Sequence, residues 1–422
     1  MKQTATRIST YSADVMGVCS SLFELGGMTV MHDASGCNST YTTHDEPRWY
    51  DMDSMVYISG ISEMEAIMGD DEKLIGDIAD AAEELKPAFI AIAGTPIPTM
   101  TGFDFEAVAE VIEQRTGIPS FGFPTTGMNT YIHGASMALA GIAKRFVDEP
   151  AVRARDDGGA ETDPAGRVKV NILGLTPLDF SVNGQDRSIE EWLESEGFEV
   201  VSKWAMGSGL DEIRRAGEAD LNLVVSAAGL GAARVLHERS GMPYAVGVPV
   251  GNELPGLMAD NMKMKLREFR EAAEGGPGDG SFEAAEISIT SGVFLGGECS
   301  EDGHSYEKGF AAVIGEGVTS LSLASAIELE CGIPAKVLCA TECPEDILRE
   351  CDRLTPDEDD IIPELEGAAF VMADPLYRPI VPDGAKFIAL PSEAFSGRIY
   401  RSEIPDLTKD ADAILKQLRE EF

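Results

Sequence analysis

The spacing of apolar residues constrains this chain most. Short, fully apolar runs alternate with helical stretches, and glycine or proline punctuates them. Phe89–Ala93 (FIAIA) runs into Gly94-Thr95-Pro96 and reads as a buried strand ending in a loop. Asp104–Thr116 then reads as a helix, with Phe105, Val108, Val111 and Ile112 at helical spacing, and Asn129–Val147 reads as another. Residues 148–166 carry almost no apolar content and read as a linker. Beyond them the alternation resumes. Val168–Leu173, Phe198–Trp204, Leu221–Ser226 and Tyr244–Val250 are expected strands, separated by the helices Ser188–Gly197, Asp211–Ala216 and Gly229–Arg239. A second polar stretch, Glu274–Ser281, precedes a third round. There Phe310–Ile314, Ala335–Leu338, Phe370–Ala373 and Phe387–Leu390 are strands, and Val318–Cys331 and Pro344–Asp352 are helices. Such alternation predicts parallel βαβ units. The expected architecture is α/β: three doubly wound, Rossmann-like domains with parallel sheets around a central cleft, over residues 1–150, 167–280 and 285–422. In such sheets ligands bind beyond the carboxyl ends of the strands, so clefts between the domains are the expected sites.

Charge narrows the function. The 422 residues hold 73 Asp and Glu against 33 Lys and Arg, a net charge of −40. Phosphate backbones and anionic lipids both demand basic surface, so neither nucleic acid nor membrane is an expected partner. The acidity keeps the surface solvated or steers a basic partner. No apolar run approaches the ~20 residues of a membrane helix, and the N-terminus has no signal-type apolar core. Seven cysteines form neither a disulfide framework nor a zinc-finger spacing. Reduced thiols in the cytoplasm are the expectation.

The densest polar cluster follows the apolar stretch Met28–Met31 and runs from His32 to Tyr50 (HDASGCNSTYTTHDEPRWY). It leaves a strand as a loop. Gly36 before Cys37 allows close backbone approach, which suits a thiolate beside a bulky inorganic group. The other reading is a capped loop without ligand. His44, Glu46 and Arg48 are candidate proton donors or substrate anchors; alternatively, Arg48 pairs with an acid inside an interface. Cys19 falls in the helical stretch Asp14–Leu25 and reads as a core thiol, as do Cys339 and Cys343. Cys299 and His304 lie in a glycine-rich loop that could reach the cleft. Pro124–Asn129 precedes a helix, so its amides suit either an anion or a simple cap. No Walker loop occurs, so this chain is not expected to hydrolyse ATP.

Several of these segments, in order, resemble component 1 of nitrogenase and its relatives. His32-Asp33-Ala34-Ser35-Gly36-Cys37 is similar to the family's His-Gly-Pro-x-Gly-Cys loop, and Gly69–Leu74 to its Gly-x-x-x-Lys-Leu stretch. Gly94-Thr95-Pro96 with Gly102-Phe103-Asp104 resembles a loop that carries another cluster cysteine. Val170–Gly174, Leu221–Ser226 and Gly241–Gly251 resemble strands of the middle domain. The resemblance implies a catalytic-component subunit that receives electrons from a separate iron–sulfur ATPase and reduces a small molecule or tetrapyrrole-like substrate. It implies an oligomer, either a homodimer or a heteromer with another component 1 chain. It also implies an iron–sulfur cluster, 4Fe–4S, shared across a subunit interface. Cys37 is its metal ligand, and Asp33, His32, Gly36 and Thr95 surround it.

The departures are specific. The family's first cluster cysteine falls near Tyr11 or Ser12 and its third at Thr95, and neither is Cys. One thiolate does not hold a cubane, so a second chain, or Asp33, His32 or Cys19, must complete the shell. The positions that hold the molybdenum cofactor in nitrogenase correspond to Ser226 and Pro391, so no molybdenum–iron cofactor is expected. A cofactor-assembly scaffold, or a cluster-free binding protein of the same fold, is the alternative.

Overall fold

Apolar runs buried on both faces become parallel strands because only a sheet can pair their backbone groups away from water. The computed structural model describes residues 12–34, 38, 41, 46–148, 167–274, 286–288 and 309–422. Gly36, Cys37 and His44 lie outside the described residues, as do Cys299, His304 and most of both polar stretches.

Among the described residues the strands form three sheets, and all their pairings are parallel. The first contains β1 (Met28–His32), β2 (Met55–Ile58), β3 (Ile90–Gly94) and β4 (Ser120–Phe123), in the order β2-β1-β3-β4. The second contains β5 (Val168–Leu173), β6 (Phe198–Lys203), β7 (Leu221–Val224), β8 (Tyr244–Val246) and β9 (Glu286–Ser288), ordered β6-β5-β7-β8-β9. The third contains β10 (Phe310–Gly315), β11 (Ala335–Cys339), β12 (Arg353–Leu354), β13 (Ala368–Ala373) and β14 (Lys386–Ala389), ordered β12-β11-β10-β13-β14. Each is a doubly wound sheet. Strand order reverses between β1 and β3, between β5 and β7, and between β10 and β13. Those three reversals are the points where ligands collect in such folds.

Two details differ from the reading of the sequence. Glu286–Ser288 pairs with β8, so it extends the second sheet although the expected third domain begins at 285. Pro344–Asp352 is not a helix but a series of turns. Arg349 donates to Asp352, Glu328 and the Ala335 carbonyl, while Asp352 accepts from the Val337 amide at 2.8 Å. These bonds tie the segment across the end of β11 and pull it off a helical path.

The first domain is joined to the second where helix Tyr131–Phe146 packs on helix Leu230–Ser240, and it is braced from within by a close helix crossing. Helix Asp14–Leu22 lies against helix Tyr131–Phe146 through Gly17 and Gly134. A Cβ on Gly17 would stand 1.9 Å from the Tyr131 carbonyl oxygen, and one on Gly134 would stand 1.8 Å from that of Asp14. Gly17→Ala must therefore push a pair of buried backbones away from each other. We expect it to lower stability by about 1–3 kcal/mol, read by urea unfolding. The C-terminal helix Leu407–Glu421 packs between helices Gln185–Ser195 and Gly317–Cys331, which ties the second and third domains together.

Candidate functional site

At the first reversal, Asp33 follows β1 and Thr95 follows β3. Thr95 Oγ1 donates to Asp33 Oδ1 at 2.7 Å, and both residues are buried. The strand alternation turns His32 to the other face of the sheet. Its Nδ1 lies 2.9 Å from Ser59 Oγ, its ring sits 4.4 Å from that of Phe103, and burial pushes its pKa down to about 4. The structure thus brings Asp33 and Thr95 together and sets His32 apart from them. Ser12, near the place expected of another cluster cysteine, is buried, and its hydroxyl oxygen has no hydrogen-bond partner among the described residues. The amides of Thr126 and Gly127 do meet an anion, but it is the chain's own Asp14, at 3.0 and 2.8 Å.

Whether these residues fit an iron–sulfur cluster is a question of donors. Among the described residues no group of three or more His, Cys, Asp or Glu is placed to hold a metal. The Asp33 carboxylate is engaged by Thr95, a hydroxyl where a thiolate is expected. The described residues therefore do not fit a cluster on their own.

Of the two readings of Glu46 and Arg48, the geometry matches the one in which Arg48 pairs with an acid. Arg48 Nε donates to Glu46 at 2.7 Å. One terminal nitrogen donates to Glu24 and to the Ala205 carbonyl, both at 2.8 Å. The other donates to the Ser20 carbonyl at 2.7 Å and to Glu46 at 3.1 Å. All five guanidinium N–H groups are thus used. Glu46 also accepts from the Tyr41 and Ser20 hydroxyls, and Glu24 accepts from the Gly207 amide at 2.7 Å. The group is a buried clamp between the first and second domains, with no donor left for a substrate.

The second and third reversals face each other, and there the sequence reading missed the chemistry. Ser226, after β7, donates to the Gly174 carbonyl at 2.8 Å. Asp179 lies on the loop and short helix after β5. It receives the hydroxyl of Tyr131, from the first domain, and that of Thr176 at 2.7 Å. Glu316, directly after β10, accepts from the amides of Val318 at 3.1 Å and Thr319 at 2.8 Å, and so caps helix Gly317–Cys331. It also accepts from the Ala227 amide at 2.9 Å, across the domain boundary. Asp374, after β13, accepts from the Leu376 and Ser392 amides, both at 2.9 Å, and from the Ser396 hydroxyl at 2.6 Å.

These acids surround a cavity of about 80 Å³ that Pro391 also lines. Burial, then the charge of Glu316, pushes the Asp179 carboxyl up to about 7. Burial raises Glu316 and Asp374 as well. The pair Asp179–Glu316 thus holds a proton near neutrality. Beneath it Cys339 and Cys343 are buried against Gly317, where a Cβ would meet their sulfurs at 3.4 and 2.6 Å. The neighbouring Cys339 and burial hold the Cys343 thiol far up. Cys19 is likewise a buried thiol, raised by burial and by Glu46. The signal available in the sequence was positional. Glu316 and Asp374 are the first acids after two central strands, although nothing in the sequence says that the sheets converge.

Comparison with known proteins bears on this geometry. A family model described as nitrogenase component 1 type oxidoreductase matches residues 25–366. The nitrogenase iron-molybdenum cofactor biosynthesis protein NifE of Methanosarcina barkeri is 27% identical over 168 residues, 40% of this chain and 35% of that protein. NifE of Klebsiella pneumoniae is 26% identical over 229 residues, 51% of this chain and 48% of that one. A subunit of the light-independent protochlorophyllide reductase of Leptolyngbya boryana is 25% identical over 185 residues, 43% of this chain and 36% of that protein. The chain thus spans about a third to a half of the length of these curated relatives. In fold it is similar to the solved structure "Nitrogenase Cp1 at pH 5", with a TM-score of 0.63 at 15% identity, over 100% of this chain and 90% of that chain. No helix among the described residues is long and apolar enough to cross a membrane. With three doubly wound parallel sheets, the second and third meeting at one cleft, and a family match across most of its length, the chain belongs to the nitrogenase component 1 type oxidoreductases.

Proposed function

We propose that this chain is the substrate-handling subunit of a two-component reductase, supplied with electrons by a separate iron–sulfur ATPase of the iron-protein type. The buried Asp179–Glu316 pair carries this reading. Reducing an unsaturated bond consumes protons as well as electrons, and a carboxyl near neutrality, one hydrogen bond from Tyr131, is suited to donate them. The 80 Å³ interior favours a compact substrate over a macrocycle. Where a cluster is held near Cys37, a second component 1-type chain supplies its remaining ligands, because the described residues do not complete a set.

The scaffold reading has one observation in its favour: several of the relatives are named for cofactor biosynthesis. Against it stand Ser226, tied to the Gly174 carbonyl, and Pro391, which offers no ligand atom. The test is oxygen-free reconstitution with an iron-protein-type ATPase, a low-potential electron donor, and a panel of compact unsaturated compounds. ATP-dependent oxidation of the donor should continue past many equivalents per chain. A scaffold would stop at about one and would release bound metal to an acceptor protein.

A further inference from the structure

A larger cavity, about 440 Å³, opens on the other face of the first sheet, away from Asp33 and Thr95. Its size falls within the roughly 300–1,000 Å³ range of small-molecule sites. It exists because β2 is an edge strand and helix Asp71–Leu85 does not reach across it. Met28 and Val30 of β1 and Leu74 and Ile78 of that helix form apolar walls. The short helix Glu63–Met68 hangs over the opening with no buried residue of its own.

Two independent features mark the cavity as a ligand site. At its inner end His32 is 5% exposed, with Nδ1 on Ser59 and its ring against Phe103. His32 lines the cavity, and among the described residues no hydrogen bond to its Nε2 occurs, which leaves that nitrogen available to a ligand. At the mouth stand Glu65, Asp70, Asp71 and Asp77, with Lys73 as the one base, and Lys73 Nζ lies 2.6 Å from Glu65. Lys73 also lies within the charge field of Asp70 and Asp77, so the mouth carries four carboxylates against one ammonium and is net negative.

We propose that this cavity binds an amphiphilic amine. Its apolar ring system occupies the walls, a hydrogen-bonding atom meets His32 Nε2, and its ammonium group meets Asp70, Asp71 and Asp77. A carboxylate of the same shape is repelled at the mouth. Nothing in this assignment depends on the electron-transfer role.

Tryptamine serves as the probe, with indole-3-propionate and 3-ethylindole as anionic and neutral counterparts, titrated calorimetrically into the full chain. Tryptamine should bind saturably, indole-3-propionate at least about tenfold more weakly, and added salt should narrow the gap. Asp70→Asn/Asp71→Asn/Asp77→Asn should weaken tryptamine by about tenfold and leave 3-ethylindole unchanged. Ala66→Trp, on the overhanging helix and clear of the core, should block all three that bind, while the thermal midpoint stays in place. Equal binding of amine and carboxylate overturns the proposal. So does tryptamine affinity that survives Ala66→Trp, or the absence of saturable binding at millimolar tryptamine.

Discussion

Arg48→Ala should destabilise the protein by about 3–5 kcal/mol, the cost of leaving a buried carboxylate without its cation. Glu46 has no side-chain exposure, and its partner Arg48 has 6%. Removing the guanidinium strands Glu46 among the Tyr41 and Ser20 hydroxyls and releases the Ser20 and Ala205 carbonyls. It also removes the cation lying over the Phe23 ring at 4.8 Å. Arg48→Lys should recover little, since a single ammonium cannot reproduce five directed N–H groups. Urea unfolding measures both. Because the clamp spans two domains, the alanine variant should also unfold less cooperatively, with the first domain released earlier. A loss below about 1 kcal/mol would mean that the pair stays hydrated and does not hold the domains.

The second large effect concerns Asp179. Asp179→Asn keeps the size of the side chain and removes its proton, so reductive turnover should fall by about 10²–10⁴-fold. In the parent protein the rate should decline as pH rises through about 7, where Asp179 loses its proton. The variant should lack that limb. Stability gives an independent check. The folded chain keeps this proton up to about pH 7, whereas an unfolded Asp releases it near 3.9. The stabilisation it contributes is therefore complete below about pH 4 and is lost as pH rises through 7. Asp179→Asn should flatten this stretch of the stability profile and gain relative stability at pH 8.

The architecture was legible because parallel strands buried on both faces leave unbroken apolar runs, as in Val168–Leu173 and Phe310–Ile314. Helix Leu254–Glu274 was harder to read. Its core contacts Leu254, Met258, Met262 and Leu266 are spaced among charges, and a polar stretch follows it directly. Pro344–Asp352 misled because its local composition suits a helix, whereas Arg349 and Asp352 bond across the sheet. The family loop at His32–Cys37 was visible as a motif. Arg48 looked functional for the same reason it is structural: a lone guanidinium among acids. The Asp179–Glu316 pair was not visible at all. Its members are 137 positions apart, and Tyr131 comes from the first domain. Their meeting is a property of how the sheets converge.

Tyr131 has a mechanical role set by its two ends. Its amide donates to the Ser12 carbonyl at 3.1 Å, and its hydroxyl donates to Asp179. The glycine crossing at Gly17 and Gly134 removes slack from the two helices that carry it. One residue therefore links the backbone of the first domain directly to a carboxyl of the second. Coupling between the first domain's backbone and the Asp179 carboxyl then needs no relay of side chains, only this one ring.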